Sequence, residues 1–139
     1  ACELYFEVVG QLIRARFCDV FAHIDLPKKF GIHPPDGFLR YIEPLLPELK
    51  RSGIAVEINA SGYDHPAGEA YPGWDIVEAL HAAGIPLLVN SDSHKPEHVG
   101  RHFAEVLDRL SEICVKTLTR FENRQPIPTP LPEASALEN

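Results

Sequence analysis

Asp92 and His94, in Ser91-Asp92-Ser93-His94, follow directly on the apolar run Ile85-Pro86-Leu87-Leu88-Val89-Asn90. Taken as the end of a strand, a spacing of two sends both side chains to one face. A carboxylate and an imidazole side by side at a strand's carboxyl end make a good pair of metal ligands. A second pair, His23 and Asp25 in Phe21-Ala22-His23-Ile24-Asp25-Leu26, follows another apolar run. Two such pairs in one chain point to a metalloenzyme. The chain has no nucleophilic serine elbow, no phosphate-cradling Gly-rich loop and no CxxC, so the nucleophile to expect is a metal-bound hydroxide.

Plainer readings compete at each position. Asp92 suits a helix N-cap at a strand-to-helix junction, but a cap leaves His94 without a role. His-x-Asp at 23–25 arises often by chance. Glu57 and Asn59 suit either substrate binding or satisfaction of backbone groups in the next loop, and the second is preferred. Lys28 and Lys29 are candidates for a phosphate contact, although a lysine pair on a loop is usually solvated surface. His33, His65, His81, His98 and His102 show no ligand spacing to one another, and of these His65 alone lies in a long loop that could line a mouth. Tyr63, Tyr71 and Trp74 fit loop and core packing better than a stacking platform.

The elements that must carry these residues follow from periodicity. Leu4, Glu7, Val8, Leu12 and Ala15 predict a helix ending near Arg16. Residues 17–23 predict a buried strand, and 28–35 a loop with Gly31 and two prolines. Asp36 is the expected N-cap of a helix through Leu39, Ile42, Leu45, Leu46 and Leu49, closed by Ser52-Gly53 and made irregular by Pro44 and Pro47. A strand over 54–60 places Ile54, Val56 and Ile58 on one face and Ala55, Glu57 and Asn59 on the other. The long loop 61–73 is of the kind that often carries function. A helix over 74–83, a strand over 85–90, a helix over 99–114 and a last strand over 115–121 complete the order. From Gln125 the alternation Pro126, Pro128, Pro130, Pro132 predicts an extended, frayed tail. The expected division is therefore 1–124 as the folded part and 125–139 as the tail. The order βαβαβα predicts an α/β fold with a parallel sheet. Ligands gather at the carboxyl ends of such strands, where His23, Asp25, Asn59, Asp92 and His94 all fall.

Composition sets the remaining bounds. The 139 residues suffice for one domain with a core. Hydrophobic residues at 45% and charged residues at 24% are ordinary for a globular chain. A formal charge of −7 argues against a general nucleic-acid or acidic-membrane surface, and no run is long enough for a membrane span. Cys2, Cys18 and Cys114 are odd in number and widely spaced, which favours free thiols in a reducing cytoplasm over a disulfide framework. The chain has no methionine and opens inside an apolar-periodic segment, which points to the downstream part of a longer protein.

Three segments together resemble the polymerase-and-histidinol-phosphatase (PHP) family, most closely its histidinol-phosphatase branch. They are Asp19-Val20-Phe21-Ala22-His23-Ile24-Asp25-Leu26-Pro27-Lys28-Lys29-Phe30-Gly31, Val56-Glu57-Ile58-Asn59-Ala60-Ser61-Gly62 and Asn90-Ser91-Asp92-Ser93-His94-Lys95-Pro96-Glu97-His98-Val99-Gly100. The resemblance runs from about Phe6 to Pro130 and keeps the family's order. It implies the downstream half of a distorted (β/α)7 barrel with up to three divalent metals at its mouth, and zinc, manganese or iron would suit. It implies hydrolysis of L-histidinol phosphate to L-histidinol and phosphate, in histidine biosynthesis, by in-line attack of a metal-bridging hydroxide. His23, Asp92 and His94 would be ligands to different metals. Lys28, Lys29 and Asn59 are the candidate substrate contacts.

The family's early His-x-His, its bridging Glu and two further histidines belong to an upstream half that this chain does not carry. The chain alone is therefore expected to bind metal poorly and to be inactive, its partner being that upstream half. Two other functions fit the same residues: a PHP phosphoesterase or exonuclease with another substrate, and a degenerate, non-catalytic module.

Overall fold

In the computed structural model, which describes residues 2–137, the alternation at 54–60 becomes the middle strand of a three-stranded parallel sheet. This strand, β2 (Ala55–Asn59), is buried along its whole length. The flanking strands are β1 (Val20–Phe21) and β3 (Leu87–Asn90), pairing Val20 with Ala55 and Val56 through Asn59 with Leu87 through Asn90. Parallel sheets survive only with both faces covered, and the helices supply that cover. The first, α1 (Cys2–Ala15), turns Phe6, Val9 and Ile13 inward. The others are α2 (Leu39–Ile42), α3 (Leu46–Ser52), α4 (Trp74–Ala82) and α5 (Phe103–Glu112). Ile24, Ile42, Leu49, Val56, Ile58, Ile76, Leu80, Val106 and Leu110 form one continuous core. No helix among the described residues is long and apolar enough to cross a membrane.

Several expected elements change shape for local reasons. The predicted strand over 17–23 shrinks to two residues, because His23 takes a positive φ of 30° and a 3₁₀ turn, Leu26–Phe30, begins at once. Pro44 and Pro47 split the single expected helix into α2, a 3₁₀ turn and α3. Asp36 does not cap it; Phe38 holds the cap position, and the Asp36 carboxylate pairs with Arg40 instead. The long helix over 99–114 starts later, at Phe103, after His102 in a left-handed conformation.

The largest departure is at the carboxyl end. The expected last strand does not join the parallel sheet. Instead β4 (Thr117–Glu122) pairs antiparallel with β5 (Gln125–Pro130). Asn123 and Arg124 both take positive φ between them, the geometry that tight hairpins favour. Pro126, Pro128 and Pro130 fall on alternate residues, so Gln125, Ile127 and Thr129 are left to carry the ladder's N–H groups. The alternation read as a fraying tail is thus that of an edge strand.

The loop after β2 folds back on its strand. Asn59 and Tyr71 exchange two backbone hydrogen bonds of 2.7 and 3.0 Å. Gly62 makes the return possible, since a Cβ there would lie 2.1 Å from the carbonyl oxygen of Glu69. Ile58, fully buried on β2, reports on this centre. Ile58→Ala should lower the unfolding free energy by about 2–5 kcal/mol, read as an earlier urea midpoint at unchanged m-value. A loss below about 0.5 kcal/mol, the size of a surface substitution, would contradict the placement.

Candidate functional site

The ends of β1, β2 and β3 deliver His23, Asn59 and Asn90 to one edge of the sheet, and Glu57 lies among them, 6% exposed. Glu57 Oε2 accepts the backbone N–H of His23 at 3.0 Å, and Oε1 accepts Nδ2 of Asn90 at 2.9 Å. Asn59 Nδ2 adds a third, longer contact at 3.4 Å. One carboxylate therefore ties together the ends of all three strands. Asn59 Oδ1 in turn accepts the backbone N–H of Ser61 at 3.0 Å and its hydroxyl at 2.6 Å. The same hydroxyl lies 3.4 Å from Asp92 Oδ2. His23 and Asp92 are thus joined through Glu57, Asn59 and Ser61.

Asp92 and His94 do meet, but not as neighbours on a strand. β3 ends at Asn90, and Asp92 takes a left-handed φ of 48°. The turn brings His94 Nδ1 to 2.9 Å from the Asp92 carbonyl oxygen and to 4.0 Å from its carboxylate. A carbonyl can only accept, so Nδ1 carries the proton and Nε2 is left free to ligate. His94 is otherwise open to solvent.

Asp25 and His23 do not act as a pair. Asp25 is fully buried, and its Oδ2 accepts the backbone N–H of Gly73 at 3.0 Å and faces Lys28 Nζ at 2.9 Å. Burial raises its carboxyl above the ordinary range, and the neighbouring Lys28 ammonium opposes that rise. Lys28 is not solvated surface either. Its ammonium also meets Glu69 Oε1 at 3.0 Å and the Ala70 carbonyl at 3.2 Å. Three protons and three acceptors leave it no donor for a phosphate. Lys29 is exposed at the end of the same turn.

The nitrogen and oxygen donors of His23, Asp92 and His94 are of the right type for zinc, manganese or iron. Among the described residues, however, no three His, Cys, Asp or Glu side chains are gathered so as to hold a metal ion. His23, Asp92 and His94 do not by themselves make a metal centre. The connecting residues Glu57, Ser61 and Asn90 escape sequence reasoning as a set. The one available signal is that Glu57 and Asn59 share a face at the end of an apolar strand.

A second cluster braces the loop that carries Asp92. Arg101 donates from Nε to the Ser91 carbonyl at 3.3 Å and pairs through Nη1 with Asp64 at 2.7 Å. His102 lies with one ring nitrogen 2.7 Å from Asp64 and the other 2.8 Å from Glu105. Carboxylates on both nitrogens require an imidazolium. The Asp64 hydrogen bond accordingly raises the His102 pKa above its ordinary 6.5, and the same bond holds Asp64 below the usual carboxylate range.

Most of the chain is similar to known proteins. Residues 75–116 match the PHP-associated family. A Deinococcus radiodurans protein named "Probable histidinol-phosphatase" is 36% identical over 123 residues, covering 88% of this chain and 46% of that protein. A Thermotoga maritima protein of the same name is 31% identical over 93 residues, covering 66% and 39%. The crystal structure of a Listeria monocytogenes protein described as "putative histidinol phosphatase hisK" superposes with a TM-score of 0.64 at 26% identity, over 73% of this chain and 42% of that one. Through residues 75–116 and these relatives, the chain is similar to the PHP family. The chain spans less than half the length of the curated relatives it matches.

Two outcomes test the site. Glu57→Gln turns one acceptor into a donor facing donors, and should cost about 1–3 kcal/mol while shifting the His23 backbone and Asn90 side-chain amide resonances together. Unmoved resonances would show that Glu57 does not join the strand ends. The His102 clamp sets a pH window. A raised imidazole pKa contributes stability that is present below 6.5 and lost as pH climbs through the raised value. A lowered Asp64 pKa contributes stability lost as pH falls through it. The urea midpoint of the wild type should therefore exceed that of His102→Gln near pH 5.5, and the gap should close on the alkaline side. A gap independent of pH would overturn the clamp.

Proposed function

We propose that this chain is the downstream, ligand-bearing part of a metal-dependent histidinol phosphatase, which hydrolyses L-histidinol phosphate to L-histidinol and phosphate. The observation that carries the reading is the convergence of His23 and Asp92 on one hydrogen-bonded network at the carboxyl ends of parallel strands. The relatives' names and the family match support it. In this reading the three strands are half of a distorted seven-stranded barrel. His23, Asp92 and His94 are ligands to a cluster of up to three divalent metals, and the upstream half supplies the others. Bound metals would supply charge neutralisation for the phosphoryl oxygens.

The chain's own residues prepare the donors. Glu57 fixes the His23 backbone, Ser61 orients Asp92, and the Asp92 carbonyl sets the His94 tautomer with Nε2 outward. Lys29 would contact substrate, and Asn59 would act by positioning Ser61 and Glu57. Three free cysteines and an acidic charge balance favour a reducing cytoplasm and a small phosphorylated substrate over nucleic acid.

The test is metal-dependent phosphate release from L-histidinol phosphate by the full-length parent, its His94→Ala variant and the 139-residue chain alone. The parent should turn over with zinc, manganese or iron. The variant should lose at least the about 10–100-fold that removing a mere hydrogen-bond partner of a metal ligand costs. The isolated chain should release nothing. Turnover by the isolated chain, or an unaffected variant, would sink the assignment, and a parent active only on a dinucleotide would move it to another PHP phosphoester.

A further inference from the structure

The turn that carries Asp92 and His94 is held in its bend from outside. Asp92 takes a φ of 48°, a left-handed conformation that is uncommon outside glycine and persists only where the surroundings impose it. The hydrogen bonds within the turn, from His94 Nδ1 to the Asp92 carbonyl and from the Ser93 hydroxyl to the Lys95 carbonyl, lie on the far side of the bend. Among the described residues, two side-chain hydrogen bonds reach the turn from elsewhere. One is the Ser61 hydroxyl, 3.4 Å from the Asp92 carboxylate, but its single proton also faces Asn59 Oδ1 at 2.6 Å. The other is Arg101, whose Nε donates to the Ser91 carbonyl at 3.3 Å.

That carbonyl belongs to the planar peptide group joining Ser91 to Asp92, and φ of Asp92 is the rotation immediately after it. To hold the carbonyl is therefore to hold φ. A return to negative φ swings the peptide group, and its oxygen leaves Arg101. Arg101 is itself fixed. Its side chain is 18% exposed, Nη1 meets Asp64 Oδ2 at 2.7 Å, and the same nitrogen donates to His98 Nδ1 at 2.9 Å. Asp64 ends the 3₁₀ turn Ala60–Asp64, so the loop after β2 anchors the guanidinium that grips the loop after β3. A planar fork lets one side chain serve a carboxylate and a carbonyl at once.

We propose that Arg101 is a positioning residue: it selects the left-handed Asp92 and so sets how the Asp92 carboxylate and the His94 imidazole are presented to a metal. The bend is a property of this chain, and its use in holding a metal rests on the phosphatase reading above.

The bend is read in the ¹⁵N-labelled 139-residue chain without metal. A left-handed φ brings the amide and α protons of Asp92 close together, which gives a strong intraresidue NOE. Arg101→Gln should reduce that NOE to an ordinary residue's while the rest of the spectrum stays dispersed. Asp64→Asn, which removes the anchor's charge and leaves Arg101 in place, should weaken it. Metal affinity is read by titrating the full-length parent with manganese and following the EPR signal of the free ion, which needs no turnover. Arg101→Gln should weaken manganese binding about tenfold, the low end for residues that orient metal ligands. Arg109→Gln, which removes the same charge from α5 where it pairs with Glu112, should leave it unchanged. Charge alone predicts the opposite sign, since loss of a nearby cation favours a divalent ion. An undiminished Asp92 NOE in Arg101→Gln would overturn the proposal, and so would a manganese affinity that holds or rises in that variant. A wild-type parent that binds no manganese would instead sink the phosphatase reading, and the Asp92 NOE would still decide what Arg101 holds.

Discussion

The Glu57 carboxylate is the constraint on which the site depends. It sits on the most buried strand of the molecule, where an ionised group is costly unless its oxygens are satisfied. Both are satisfied, and each partner belongs to a different strand end: the His23 backbone after β1 and the Asn90 amide of β3. Register alone would align these strands, but it would not hold His23 in its positive-φ turn. A hydrogen bond from that turn's own N–H does so, and it fixes where the imidazole starts. Asn59 carries the constraint onward through Ser61 to Asp92. The donors expected to meet a metal are thus positioned by residues that are not themselves expected ligands, which is how metal sites generally fix ligand geometry.

A second buried charge network sits beside the first and shares its strand. Asp25 follows His23 by two residues, and Tyr71, whose ring lies under the Lys28 ammonium at 5.1 Å, is bridged to Asn59 by backbone hydrogen bonds. The loop after β2 is therefore held at both ends, by the Asn59 bridge and by the Lys28 contacts to Glu69 and Ala70. A buried ion pair of this kind adds little net stability, because desolvation offsets most of the attraction. Removing Lys28 would leave the buried Asp25 carboxylate without a counterion, so the pair specifies one arrangement of the loop even though it stabilises it weakly.

The sequence was most legible where burial dictates pattern. The central strand at 54–60 and the helix after Trp74 follow from apolar periodicity, and the gathering of His23, Asn59 and Asp92 follows from the parallel order. What it hid were backbone reversals. His23, Asp92 and His102 all adopt positive φ, which residue type does not announce as glycine would, so a spacing rule for strands misplaced the Asp92–His94 geometry. Lys28 was illegible for a different reason. Its neighbour in sequence, Lys29, is exposed, and only the long-range partners Glu69 and Ala70 make it buried. The prolines of β5 carried the same ambiguity: alternation suits both a free extended tail and an edge strand, and only the hairpin partner decides between them.

The outer boundary of the sheet completes the physical picture. Among the described residues β1 pairs on one side only, and it is two residues long. α1, which leads into it, buries Phe6, Val9 and Ile13 yet presents Leu4, Val8 and Leu12 to solvent on a second stripe. Phe17 and Phe30 are exposed nearby in sequence. A helix that is apolar on two faces is one placed between two layers, and a parallel edge is stable when another strand continues it. The same edge ends beside His23. In the proposed reading, this edge and the exposed stripe of α1 are where the upstream half would pack, so the packing of β1 and the chemistry of His23 bear on one place.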